Sequence, residues 1–123
     1  MHVCITQIRR SNGQWYSAEY STFSISDEVD NYRLTLAGYS GDAGDALLAP
    51  ATDNSVNGRM FSTPDRENDP VRQCAILYNR GWWDHGCGAN CLNRAGLDVK
   101  GNWVTGSFTP SDVKYSRMMV RVK

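Results

Sequence analysis

Residues 61–93 read FSTPDRENDPVRQCAILYNRGWWDHGCGANCLN, and no other stretch of the 123-residue chain joins so many chemically distinct residues. Asp65, Glu67 and Asp69 alternate within one short turn, and Asn68 adds an amide oxygen. Like charges so close together repel. A divalent cation is a physical reason to hold them there, because calcium takes about six to eight hard oxygen ligands from a tight loop. Cys74 and Cys87 bracket the next segment, with Trp82 and Trp83 between them. With Cys4 and Cys91 the chain has 4 cysteines, which allow three pairings.

Outside this stretch, length and charge set limits. The length suits one domain with a modest core. The 13 Lys and Arg balance the 13 Asp and Glu, which argues against a nucleic-acid footprint or an anchor to an anionic membrane. No apolar run approaches the ~20 residues needed to span a bilayer. With 11 glycines and ordinary apolar content, a loop-rich β or α+β domain fits better than a helix bundle.

His2 to Ile8 alternates in β-branched residues and predicts a strand. Asn12-Gly13 is a hairpin signal, because both residues accept positive φ. Gln14 to Ile25 returns as a second strand, Asp27 to Asn31 is a polar turn, and Tyr32 to Tyr39 is a third strand. Three such strands in succession make an antiparallel meander. Asp42 and Asp45 organise the turn that follows, and Asp45 to Ala49 predicts one helical turn stopped by Pro50. From there to Asn102 the chain is mostly punctuation by Gly and Pro. Tyr115 to Val122 predicts a last strand with Met118, Val120 and Val122 on one face. The expected class is α+β, a twisted antiparallel sheet with short helices and a loop-rich part.

The pattern FST-x-D-x-acid-x-D, then Cys74-Ala75, then Gly81-Trp82-Trp83-x-x-x-Cys87, then Leu92-Asn93 resembles the fibrinogen C-terminal-like domain. The resemblance runs upstream through Ala18 to Phe23, Tyr32-Arg33-Leu34 and Gly38-Tyr39-Ser40-Gly41, and ends in the last strand. It covers nearly the whole chain (1–123) but only the C-terminal part of a family domain. It implies a sheet region at 1–49 and 115–123, and a loop-rich calcium and ligand subdomain at 50–114.

The resemblance also implies roles. Glu67 and Asp69 would bind calcium through their carboxylates, with the carbonyls of Val71 and Gln73. Cys74 would pair with Cys87. A ligand pocket would involve Tyr78, His85, Cys87 and Gly88, beside a cis bond at Gly86–Cys87. The family usually has Asp at the position of Glu67, and a histidine donor where Gly88 stands. Its lectin-like members bind carbohydrate or acetylated groups in innate defence; other members are extracellular-matrix or signalling modules that bind proteins. A secreted recognition module is therefore the leading expectation, with a protein-binding module or a truncated fragment as alternatives. Met1-His2-Val3-Cys4-Ile5 does not read as an export signal, so such a signal is expected in sequence beyond this chain, unless the chain is a fragment. The family's N-terminal subdomain has no counterpart here, so one side of the sheet should be uncovered or sticky at an edge.

Other chemistries fit less well. Cys74, His85, Cys87 and Cys91 match no standard zinc spacing. A Cys–His nucleophile pair lacks an oxyanion-hole motif, so an enzyme is not expected. The tryptophans suit sugar platforms, but packing against a disulfide is the simpler role. Cys4 and Cys91 pair with each other, link chains into an oligomer, or stay as thiols.

Overall fold

The computed structural model describes residues 2–48, 55–85, 91–92, 103 and 113–122. β1 (His2–Arg10) and β2 (Trp15–Ile25) form a hairpin across the Ser11-Asn12-Gly13 turn, where Gly13 takes φ +84°. β3 (Leu34–Gly41) pairs antiparallel with β2, and β4 (Val113–Val122) pairs antiparallel with β1. The sheet order is β3-β2-β1-β4. The meander of the first three strands is thus present. Placement of the last strand beside β1 is information that only the fold supplies.

β3 starts two residues later than its β-rich sequence suggests. A 3-10 turn at Glu28–Asp30, capped by the Asp27 side chain, intervenes, and Asn31 and Tyr32 both adopt positive φ. Tyr32 is held there by its amide on Asp27 O and its hydroxyl on Glu28 Oε2.

The register between β1 and β4 puts Cys4 opposite Val120, Thr6 opposite Met118 and Ile8 opposite Ser116. Cys4 and Ile8 are buried with Ala18, Tyr20, Leu34, Leu36, Ala46, Leu47, Trp82 and Trp103 in one apolar core. Met118, Val120 and Val122 share a face as expected. Met118 packs on the core, however, whereas Val120 and Val122 are 50% and 74% exposed. The core-side face of the sheet therefore runs out of cover at the β4 end.

The turn after β3 is organised as its acids suggested. Asp42 accepts the Ser17 amide, and Asp45 accepts both the Leu48 amide and the Tyr20 hydroxyl. Burial and the neighbouring Asp45 hold the Tyr20 hydroxyl far above its usual range. The Leu48 bond is an N-cap contact, and residues 46–48 form a turn. Ala49 and Pro50 lie outside the described residues.

Candidate functional site

The acidic loop folds back on its own backbone. Asp69 Oδ1 accepts from the amides of Val71 (2.9 Å) and Arg72 (3.2 Å), an Asx turn. Glu67 Oε1 accepts from Ala75 N at 3.1 Å, which satisfies an amide in the first turn of α1 (Cys74–Tyr78). The helix ends at Asn79, in the left-handed region, whose amide returns to Ala75 O. This helix was not legible in the sequence, because five residues are too few to show a period. Asp65 stands apart: it is exposed, and a hydrogen bond from Thr63 holds its carboxyl below the ordinary range.

These contacts test how well the residues suit calcium. Glu67 and Asp69 share one loop, and Glu67 Oε2 is buried without a protein partner. The Gln73 carbonyl is already the acceptor for Leu77 N, and Val71 is exposed. Among the described residues no group of three or more His, Cys, Asp or Glu side chains gathers as a metal cluster. Glu67 Oε1 and Asp69 Oδ1 are already taken by loop amides, so the described loop offers fewer available oxygens than a closed calcium cage.

Cys74 is fully buried and disulfide-bonded. Cys87, the partner that the resemblance implies, lies outside the described residues. Asp69 Oδ2 lies 3.0 Å from Cys74 Sγ, a contact and not a hydrogen bond, because a disulfide sulfur carries no proton. Cys4 is buried and not disulfide-bonded. Burial raises its pKa, against a weak bond to Thr6. At 0% exposure Cys4 cannot reach another chain without opening the sheet, and Cys91 is 1% exposed.

Beyond the helix the chain forms a clamp. Arg80 Nη2 meets Asp84 Oδ1 at 2.7 Å, with the two side chains only 6% and 1% exposed. Between them, Trp82 is buried and bridges Ser62 through both backbone bonds. Trp83 Nε1 donates to Tyr32 O, and its ring meets Phe61 edge-on at 5.1 Å. The tryptophans are thus scaffold that ties the loop to the start of β3. Desolvation raises the Asp84 pKa, opposed by Arg80 and reinforced by the negative charges of Asp69 and Glu67. Arg80 Nε, Trp82 Nε1 and Asp84 Oδ2 are buried without protein partners, as Glu67 Oε2 is. Sequence reasoning missed this pair, although opposite charges four residues apart in an otherwise apolar segment were a visible signal.

A cavity of about 150 Å³ lies at this junction, lined by Arg33, Arg59, Met60, Asn68, Asp84 and His85, among others. The structure therefore brings His85 into a cavity. It places Tyr78 elsewhere, 45% exposed at the end of α1 with the Arg80 guanidinium 5.2 Å from its ring centre. Cys87, Gly88 and the Gly86–Cys87 bond lie outside the described residues.

An antiparallel sheet carrying a disulfide-tied, acid-bearing loop defines a globular domain of the fibrinogen C-terminal kind. The chain belongs to that family: residues 1–122 match the C-terminal globular domain of fibrinogen beta and gamma chains. It is 38% identical to Ryncolin-4 of Cerberus rynchops over 115 residues, 85% of this chain and 31% of that protein. It therefore spans under a third of that relative's length. The fibrinogen-like globe domain of human ANGPTL6 matches with a TM-score of 0.70 and 28% identity, over 98% of this chain and 56% of that one. Lamprey fibrin D-dimer, solved with the peptide Gly-His-Arg-Pro-amide, matches with a TM-score of 0.79 over 97% of this chain and 44% of that one; at 23% identity it shows the fold alone. Among the described residues no helix is long and apolar enough to cross a membrane.

Proposed function

We propose that this chain is a secreted, non-enzymatic recognition module that binds carbohydrate or acetylated groups. In this reading the loop-rich part, 50–114, holds the ligand and calcium, and the sheet region supports it. The observation that carries the reading is the cavity beside Asn68, Asp84 and His85. Its volume suits one sugar ring or an acetamido group, not an extended protein surface. Arg33, Arg59, Asn68 and His85 supply hydrogen-bonding groups, and Met60 with Pro70 supplies an apolar wall for a methyl group. Calcium would be held by Glu67 and Asp69 with the carbonyls near Val71. Its charge would offset the carboxylate repulsion and hold the loop in place.

A protein ligand is the second reading. Val71, Ile76, Leu77 and Tyr78 are 59%, 49%, 57% and 45% exposed around α1, an apolar group suited to another protein's surface. An array of N-acetylated and plain sugars, followed by competition with free acetate and N-acetylglucosamine, separates the two. Acetyl-dependent binding that His85→Ala weakens supports the cavity. Binding to protein receptors that no sugar inhibits, and that Leu77→Glu abolishes, transfers the function to the α1 surface.

A further inference from the structure

The charges around the cavity do not balance. Two guanidiniums line it, those of Arg33 and Arg59, with one acid, Asp84. Arg33 is answered by Asp30, 3.2 Å from its Nε, and spends Nη1 on Gly58 O at 2.8 Å. Asp84 is answered by Arg80 at 2.7 Å, and desolvation raises its pKa, so it repels an incoming anion less than a free carboxylate would. Glu67 and Asp69 flank Asn68 in the chain, but their side chains do not line the cavity. Glu67 Oε1 is turned to the Ala75 amide, and Asp69 Oδ1 to the amides of Val71 and Arg72. Arg59 is the cation left over. Its Nε donates to Ser55 O at 3.3 Å, and among the described residues Nη1 and Nη2 have no protein partner.

The fold holds this side chain in place. Asn57 and Gly58 form a turn against the start of β3, with Gly58 at φ +79°. Asn57 Oδ1 accepts the Leu36 amide, Gly58 N donates to Leu34 O, and Leu34 N donates to Arg59 O. The Arg59 backbone is thus pinned to β3, and Ser55 O steadies its Nε, so little freedom remains to be lost on binding. The planar fork at its end matches two oxygens of a carboxylate or a sulfate, and such charge-assisted bonds are about twice as strong as neutral ones. Asn68 spends Nδ2 on Phe61 O, which leaves Oδ1 as an acceptor for a hydroxyl.

We propose that Arg59 is the specificity-determining residue of this cavity and selects sugars that carry an anionic group, a carboxylate or a sulfate, over neutral ones. The anion meets the Arg59 fork, and a ring hydroxyl meets Asn68 Oδ1. The inference rests on the reading of the cavity as the ligand site, but it does not depend on an acetyl group.

Calorimetric titration of the whole chain, in calcium, with methyl glycosides in matched pairs tests it. The pairs are N-acetylglucosamine with and without a 6-sulfate, and glucuronic acid against glucose. Each anionic member is expected to bind about tenfold more tightly than its neutral partner, and rising sodium chloride should narrow the gap. Arg59→Gln should bring each pair to near parity by weakening the anionic member. Arg59→Lys, which keeps the charge without the fork, should retain part of the preference, and melting curves of both variants check that the fold is kept. A gap in one pair alone supports the proposal and assigns the anion to sulfate or to carboxylate. Parity in the wild type, with binding that needs the acetyl group, overturns the proposal and leaves the acetyl reading standing. Anionic binding that needs no acetyl group and that Arg59→Gln removes supports the proposal and ends the acetyl reading. A preference that survives Arg59→Gln overturns the proposal, and no binding by any of the sugars overturns it together with the reading of the cavity.

Discussion

Asp84 carries two opposed effects at one side chain. Desolvation raises its pKa while Arg80, at 2.7 Å, lowers it, and desolvation prevails. An acid whose pKa is raised on folding contributes stability that is complete below its unfolded value of about 4 and is lost as pH climbs through the folded value. The stability difference between wild type and Asp84→Asn should therefore shrink as pH rises above about 4. Denaturant titrations of both proteins across the acid range measure that slope, and a difference that grows with pH would contradict it. Trp103 is a second decisive residue, fully buried, with Nε1 donating to the carbonyls of Ala43 and Gly44 at 3.1 Å each. Trp103→Phe keeps most of the apolar surface but takes the indole donor from both carbonyls, of which Gly44 O keeps the Ala46 amide, so a loss of about 1–3 kcal/mol is expected from chemical unfolding. Nothing in the spacing of a lone tryptophan so far along the chain foretold that contact.

Among the elements, the β2–β3 hairpin depends on a close backbone approach. Gly41 has φ +131°, and a Cβ there would lie 2.2 Å from Ser17 O. The same carbonyl accepts the amides of Asp42 and Ala43. Gly41→Ala should thus cost about 2 kcal/mol or more and disturb the turn that Asp42 and Asp45 cap. A fall in denaturant midpoint at unchanged slope, with Ser40→Ala as the neutral control, tests it. The strands themselves were plain from alternation and from Asn12-Gly13. Their ends were not, because the positive φ of Tyr32 and the short α1 depend on contacts with Glu28 and Glu67 that come from elsewhere in the chain or loop.

For the molecule as a whole, calcium is expected to act through stability. Binding to the folded loop alone adds about 2.7 kcal/mol at a hundred times the dissociation constant. Melting temperature should therefore rise with calcium and fall back with chelator. Glu67→Gln with Asp69→Asn should remove the rise, at some cost to α1 because both side chains hold loop amides. A calcium response that survives the double substitution would move the site away from this loop. No response in the wild type would mean that backbone bonds have taken over the carboxylates.

By itself the sequence determined the family, the strands of the meander and the acidic turn. Each is written in local spacing: alternation, turn dipeptides, and the fixed offsets of acids, cysteines and tryptophans. Tertiary structure decided which of those residues meet. It joined β4 to β1 across more than 100 positions, buried Arg80 against Asp84, put His85 into a cavity and left Tyr78 outside it. The physical reason is that burial and desolvation belong to the packed whole: a charge or a ring has the same letter in the chain whether the fold leaves it in water or takes it out.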